Sequence, residues 1–360
     1  MARSLLPPSG AAIWGAPDGC TMWSHMRVKH TSPMSDAATD GIRAHDVARR
    51  ILAGAAPTVE DSDDMIWAAG VYKEAVLSEV HPDLTVTESA VTAASIHPDC
   101  RGYVDLYSMG PDDIWIWDYK YGMHPVEVRE CWQLLVYAIA LYDEMGAAHP
   151  MRIHMRIVQP RAYHREGPVR GWDVSSDDLR PYRNLLQSAA TQVYTDPQYR
   201  AGAQCRWCPG RHECPVAREV AMSGHDACTD HVPPTEPAVL GAELSKVRQA
   251  IEALRYLESA YEEQVSAALR RGVPVPGWRL GRSRSRKEWS ADPEQIINMG
   301  DMLGIDLRTP TKAITPVQAC DSGMPTDVID VLTTTILGRE TLTTDDVDPL
   351  GVDPKEIFND

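Results

Sequence analysis

Apolar residues recur every three to four positions through SDAATDGIRAHDVARRILAG (35–54) and again through DSDDMIWAAGVYKEAVLSEV (61–80). That spacing predicts two helices. Ser35 or Asp36 can cap the first and Gly54 can stop it, while His81-Pro82 ends the second. LTVTESAV (84–91) alternates and reads as a strand. CRGYVDLYSM (100–109) and IWIWDYKYG (114–122) flank a GPDD loop and read as a hairpin. PVEVRECWQLLVYAIALYDEMG (125–146) is a strongly apolar helix stopped by Gly146. MRIHMRIVQPR (151–161) alternates through Ile153, Met155 and Ile157 as a further strand. SSDDLRPYRNLLQSAATQVY (175–194) is helical, with Pro181 limiting its first turn. Helices, antiparallel strands, helix, strand, helix is the order of an α/β sandwich on a mixed sheet.

The composition changes near residue 230, where HVPPTEPAV reads as a linker. Beyond it, residues 240–272 form a long amphipathic helix, with Leu244, Val247, Ile251, Leu254 and Leu257 as the stripe that packs on the core or on a partner helix. The expected domains are therefore 1–230 and a C-terminal extension, 231–360. The 360 residues suffice for a sizeable core. No stretch has the apolar length to span a bilayer, and MARSLLPPSGAAIW lacks the apolar core of a secretion signal. A reducing, cytoplasmic setting is expected, in which the eight cysteines are metal ligands or buried thiols rather than a disulfide framework.

The net charge of −16 argues against coating nucleic acid by bulk electrostatics. It leaves room for a local basic groove. Arg279, Arg282, Arg284, Arg286 and Lys287 crowd into WRLGRSRSRKEW, and DDVDPLGVDPKEIFND reads as a solvated acidic tail.

Chemistry enters at the hairpin. Asp118 and Lys120, two apart on a strand, share one face. If Met109 and Ile114 flank the loop, Asp105 falls directly opposite Asp118, with Cβ atoms roughly 4.5–5.5 Å apart. A slip of one residue would part them. Two carboxylates so placed need compensation, and Mg²⁺ or Mn²⁺ supplies it. A lysine beside them can orient or activate water, or neutralise charge on a phosphate. Glu88, in TVTES, is a further acidic candidate, with a solvated strand glutamate as the plain alternative.

GYVD followed by WDYK resembles the core of the PD-(D/E)xK nucleases, specifically their RecB-like branch. That branch adds a Q-x-x-x-Y pair on the next helix, matched by Gln133 and Tyr137 in QLLVY, and an upstream G-x-x-x-H, matched by Gly41 and His45 in GIRAH. The resemblance implies a restriction-endonuclease-like mixed sheet flanked by helices. It makes His45, Asp105 and Asp118 ligands to one or two Mg²⁺ or Mn²⁺ ions and Lys120 the catalytic lysine. Gln133 and Tyr137 would shape the site and contact DNA. Asp118 stands where many members carry Glu.

CRWCPGRHEC places Cys205, Cys208 and Cys214 in C-x₂-C-x₅-C, a spacing that argues for a metal centre. Cys20 is the candidate fourth ligand, Cys228 a reserve, and His212 a further possibility. Cys100, Cys131 and Cys320 read as packed thiols. One cysteine before the core and three after it resembles the iron–sulfur subgroup that includes the AddB nuclease and the CRISPR-adaptation nucleases, which implies a [4Fe–4S] cluster. Zinc on four thiolates is the competing reading. LLPPSGAAIWGAPDGC, VQPR and GWRLGRSRSRKEW are similar to a phage and prophage family of such nucleases, often placed with phage replication or recombination proteins. The expected function is metal-dependent exonucleolytic hydrolysis at DNA ends. A non-catalytic DNA-binding or assembly module is the alternative.

Overall fold

The computed structural model describes residues 4–30, 36–81, 84–146, 149–229, 236–282, 286–305, 307, 315–321, 323–336 and 340–344. The chain divides into two compact units, residues 1–257 and 258–360.

In the first unit, short helices α1 (Ala11–Trp14) and α2 (Trp23–Lys29) precede α3 (Asp36–Leu52) and α4 (Asp63–Leu77). Ser62 caps α4 by accepting from the Met65 amide. Then come β1 (Thr85–Thr92), β2 (Arg101–Met109), β3 (Asp113–Tyr119), α5 (Trp132–Met145), β4 (Arg152–Val158), β5 (Val169–Ser175), α6 (Arg180–Thr195), α7 (Pro215–Thr229) and α8 (Pro237–Arg270). The five strands form one mixed sheet in the order β1-β2-β3-β4-β5. β3 and β4 pair in parallel, and every other neighbouring pair is antiparallel.

Side-chain alternation sorts the core into two layers. Ile114 and Ile116 of β3 pack with α5, α6 and the N-terminal segment. Trp117 and Tyr119 pack with Ala44, Val47, Ala68 and Tyr72 of α3 and α4. The N-terminal segment crosses β2 at Gly102, where a Cβ would lie 2.8 Å from the Pro8 ring. It then meets the chain before the cysteine loop: Met22 N donates to Gln198 O and Gln198 N to Thr21 Oγ1.

Four expectations are corrected. Residues 125–131 are not helical, so α5 starts at Trp132. The backbone of Val126 is engaged instead by Gln159 and Arg170 side chains, and Glu130 takes a left-handed φ of 54°. β5 was not expected at all: VRGWDVS has a glycine at its third position, and it is an edge strand. A Cβ at Gly171 would sit 2.9 Å from the Arg156 guanidinium. α8 buries only part of its expected stripe: Leu257, and Val247 in part. Leu244, Ile251 and Leu254 are exposed, and Ala250, Ala253 and Leu257 are buried, because small side chains let helices approach closely; a Cβ on Gly224 would meet Ala250 at 2.5 Å. Finally, the two compact units part inside α8 rather than at residue 230. The first half of that helix belongs with the cysteine loop, where Arg211 Nε donates to Tyr256 O.

The second unit contains β6 (Trp278–Arg282), β7 (Arg286–Trp289), α9 (Pro293–Met302), α10 (Pro316–Asp321), α11 (Thr326–Leu332), β8 (Thr333–Ile336) and β9 (Glu340–Thr344). β6 pairs with β9 and β7 with β8, around a small core of Ile296, Leu307, Ala319, Met324 and Ile329. Arg284, the acidic tail and most of the expected linker lie outside the described residues, as do the side chains of Cys228, Arg282, Arg286 and Lys287. Among the described residues, no helix is long and apolar enough to cross a membrane.

Candidate active site and thiol cavity

Three adjacent strands bring three carboxylates abreast. The observed β2–β3 register runs from Met109↔Ile114 to Leu106↔Trp117. One further step sets Asp105 across from Asp118, as the hairpin pattern predicts. On the other side, Thr87↔Leu106 and Ser89↔Val104 leave Glu88 abreast of Asp105, with the ladder interrupted at that point. Glu88 has φ 48°, a left-handed conformation costing of order 1 kcal/mol or more in a non-glycine residue. Donor atoms of His45 from α3, Glu88 and Asp105 all lie within 4.8 Å of one another. His45 Nδ1 is 3.5 Å from Asp105 Oδ1, while Asp105 Oδ2 accepts from the Tyr119 amide at 2.8 Å.

Asp118 serves a second cluster. Its side chain is buried, and Oδ2 lies 2.8 Å from Lys120 Nζ. Gln133 Nε2 donates to Asp118 Oδ1 at 2.9 Å, and Lys120 Nζ donates to Gln133 Oε1 at 3.0 Å. Gln133 also reaches Tyr137 Oη at 3.2 Å, and that hydroxyl donates to the Tyr103 carbonyl at 2.7 Å. Gln133 thus fixes the angle between the carboxylate and the ammonium, and Tyr137 ties both to β2.

The electrostatics follow from crowding. Burial, then repulsion from Asp105, raises the pKa of Glu88. Burial raises that of Asp118 too, with Asp105 adding and Lys120 opposing. For His45 and Lys120, burial alone would lower the pKa. The neighbouring carboxylates outweigh it and raise both, Asp105 acting chiefly on His45 and Asp118 on Lys120. All four groups are thus shifted toward their protonated forms.

Sequence reasoning found His45, Asp105, Asp118, Lys120, Gln133 and Tyr137, and all six stand at this sheet end. It weighed Glu88 only as an addition, yet Glu88 rather than Asp118 completes the tight donor trio. It missed Tyr72, a buried phenol beside the carboxylates, and Arg49, which lines the cavity with His45 and Glu88. Position 49, one helical turn from His45, was the signal available for the arginine.

The four predicted thiols also converge. Cys20, Cys205, Cys208 and Cys214 line one pocket, walled by Trp23, Met26 and Tyr199. Backbone amides of Arg200, Gly202 and Ala217 donate to the sulfurs of Cys20, Cys205 and Cys214, each at 3.4 Å. Burial pushes the Cys208 thiol up to about 12 and raises Cys20 and Cys205 as well. His212 lies outside this cavity's lining.

Fold and site together define an α/β protein with a carboxylate–lysine site at the ends of adjacent strands. The chain belongs to the family described as "Protein of unknown function (DUF2800)", whose match covers residues 3–321. No curated protein matches it.

Proposed function

We propose that this chain is a metal-dependent DNA nuclease of the PD-(D/E)xK type, RecB-like, acting on DNA ends. The observation that carries the reading is the convergence of Glu88, Asp105 and Asp118 from three strands with His45 and Lys120. A site so rich in carboxylates and so short of cations fits Mg²⁺ or Mn²⁺. When bound, such an ion supplies Lewis acidity and a more acidic water. His45, Glu88 and Asp105 would hold it, with Asp118 at its edge. Lys120, steered by Gln133, faces the place where charge develops on a phosphate and stabilises it.

The thiol cavity fits a cluster. Four thiols lining one pocket suit a metal centre, and one cysteine before the core with three after it is the order that favours a cluster over a single zinc. Amide donors on three sulfurs favour the thiolate form such a centre needs. In this reading a [4Fe–4S] centre is structural, with zinc as the alternative. A phage-type recombination or replication protein is the partner class the reading suggests.

The test is incubation of anaerobically purified protein with end-labelled linear DNA. Cleavage with Mn²⁺ or Mg²⁺, abolished by chelator, is expected. DNA binding without cleavage from a folded, centre-replete protein would sink the enzyme and leave the assembly module.

Two further expectations concern the same site. His45 has a raised pKa, so in metal-free protein its stabilising protonation is complete below about 6.5 and is lost as pH rises through the folded value. Glu88 and Asp118, also raised, already weigh against the folded state once ionised. A divalent ion replaces the missing positive charge. Mn²⁺ should therefore raise the melting midpoint more at pH 8 than at pH 6, and this difference should vanish in Asp105→Asn.

Gly41, one turn before His45, lines the mouth with His45 and Glu88, and a Cβ there meets nothing within 4 Å. Packing does not demand glycine at this position. Gly41→Ala should stabilise the helix by about 0.5–1 kcal/mol and yet slow cleavage severalfold by narrowing the mouth. Thermal melts and DNA turnover on one preparation check both halves.

A further inference from the structure

The N-terminal segment and the cysteine loop meet a second time, outside the thiol cavity. His30 directly follows α2, and His212 and Glu213 lie in the tight turn Arg211–Glu213 between Cys208 and Cys214. Donor atoms of all three fall within 4.8 Å of one another. His30 Nε2 is 3.3 Å from Glu213 Oε2, and His212 Nε2 is 3.6 Å from Glu213 Oε1. The two imidazoles meet edge to face, with centroids 4.8 Å apart.

The spacing decides what this cluster is. Hydrogen bonds to nitrogen donors centre near 2.9–3.0 Å, and 3.6 Å is too long for one. His30 Nε2 is buried and makes no hydrogen bond among the described residues. By contrast, ligands about 2.0–2.1 Å from a tetrahedral ion lie roughly 3.3–3.4 Å from each other. Two imidazoles and one carboxylate suit a borderline divalent ion.

An independent feature brings the loop to His30. A Cβ at Gly210 would lie 2.6 Å from Met26 Sδ and 3.0 Å from His30 Cδ2. Glycine therefore lets the turn close on α2. Lys29 holds Glu213 through its ammonium, but its side chain is 61% exposed and free to swing into solvent.

We infer that His30, His212 and Glu213 form a site for a divalent transition ion of the Zn²⁺ class, with water completing its coordination. It is separate from the thiol centre and joins the end of α2 to the cysteine loop. Lys29 is its internal competitor: a cation must displace the ammonium to reach Glu213. The inference does not depend on the nuclease reading.

Co²⁺ is the probe, added to full-length protein whose thiol centre is already loaded. One equivalent should bind with ligand-field absorption and without sulfur-to-cobalt charge transfer. Affinity should fall at least about tenfold in His30→Gln and in Glu213→Gln. It should rise in Lys29→Ala, which removes the competitor and leaves the three ligands alone. Metal-free melting midpoints will show whether each variant folds. Charge-transfer bands unchanged in His30→Gln would place the ion on cysteines and overturn the site. So would absence of uptake by both wild type and Lys29→Ala.

Discussion

Lys120→Ala should lower divalent-dependent cleavage of linear DNA by about a hundredfold to a thousandfold, the usual cost of removing one group that stabilises transition-state charge. It should also lower the melting midpoint, because Asp118 is only 2% exposed and loses its counter-ion. Removing one member of a buried ion pair typically costs about 3–5 kcal/mol, somewhat less here because the Lys120 side chain remains 27% exposed. The two effects can be separated. Asp118→Asn with Lys120→Met removes both charges and keeps the side-chain volumes, so most of the stability should return. If Lys120 acts on the phosphate, activity should not return with it. Activity that follows stability across the single and double variants would show that the pair only holds the sheet end together. Asp105→Asn completes the set. It removes one of the three members of the donor trio without touching the pair, so Mn²⁺ affinity should fall while the metal-free midpoint stays near that of wild type.

The separation between trio and pair marks where the sequence stopped being legible. Alternation in RGYVDLYSM and DIWIWDY sorts the side chains by face: a slip by one residue would exchange the two layers, sending Ile114 and Ile116 toward α3 and α4 and Trp117 toward α5. With Met109 and Ile114 taken to flank the loop, Asp105 and Asp118 then came out opposite one another. Gln133 and Tyr137 followed from the resemblance to a Q-x-x-x-Y pair, and the thiol pocket from C-x₂-C-x₅-C with one cysteine far upstream. Glu88 was legible only as a further acidic candidate, because nothing in TVTES shows its left-handed φ or its place beside Asp105. The start of α5 was lost to a tertiary override: Gln159 and Arg170 are far away in sequence, and they claim the Val126 backbone before a helix can. β5 is an edge strand whose glycine exists for the Arg156 side chain, so its local pattern is weak. In α8 a visible leucine stripe competed with a quieter alanine face, and close packing chose the alanines. His30 and Glu213 had no motif at all; only the fold unites positions so distant in the chain.

The same distance makes the cysteine centre the largest expected contributor to stability. Cys20 and Cys205 line one cavity although nearly two hundred residues separate them. Closing a loop of that length restricts the unfolded chain by about 5 kcal/mol in the chain-entropy account of cross-links. The N-terminal segment has other anchors, since Leu6, Ala11 and Trp14 are fully buried and Trp14 Nε1 donates to Pro7 O. Its packing should therefore survive loss of the centre, but less firmly. Cys214→Ser should abolish the brown colour of an iron–sulfur protein, or the bound zinc of the alternative. It should lower the midpoint by roughly 10–20 °C, at about 2–4 °C per kcal/mol for a unit of this size. Proteolysis should then open the chain first near residues 17–22 and 198–202, where the two segments are joined through Thr21, Met22 and Gln198. Well below the new midpoint, DNA cleavage per folded molecule should stay close to wild type, because His45, Glu88, Asp105, Asp118 and Lys120 are carried by α3 and the strand ends. Cleavage lost in proportion to metal content, at full stability, would instead make the thiol centre part of the chemistry. An unchanged midpoint with unchanged metal content would mean that the four thiols hold no centre.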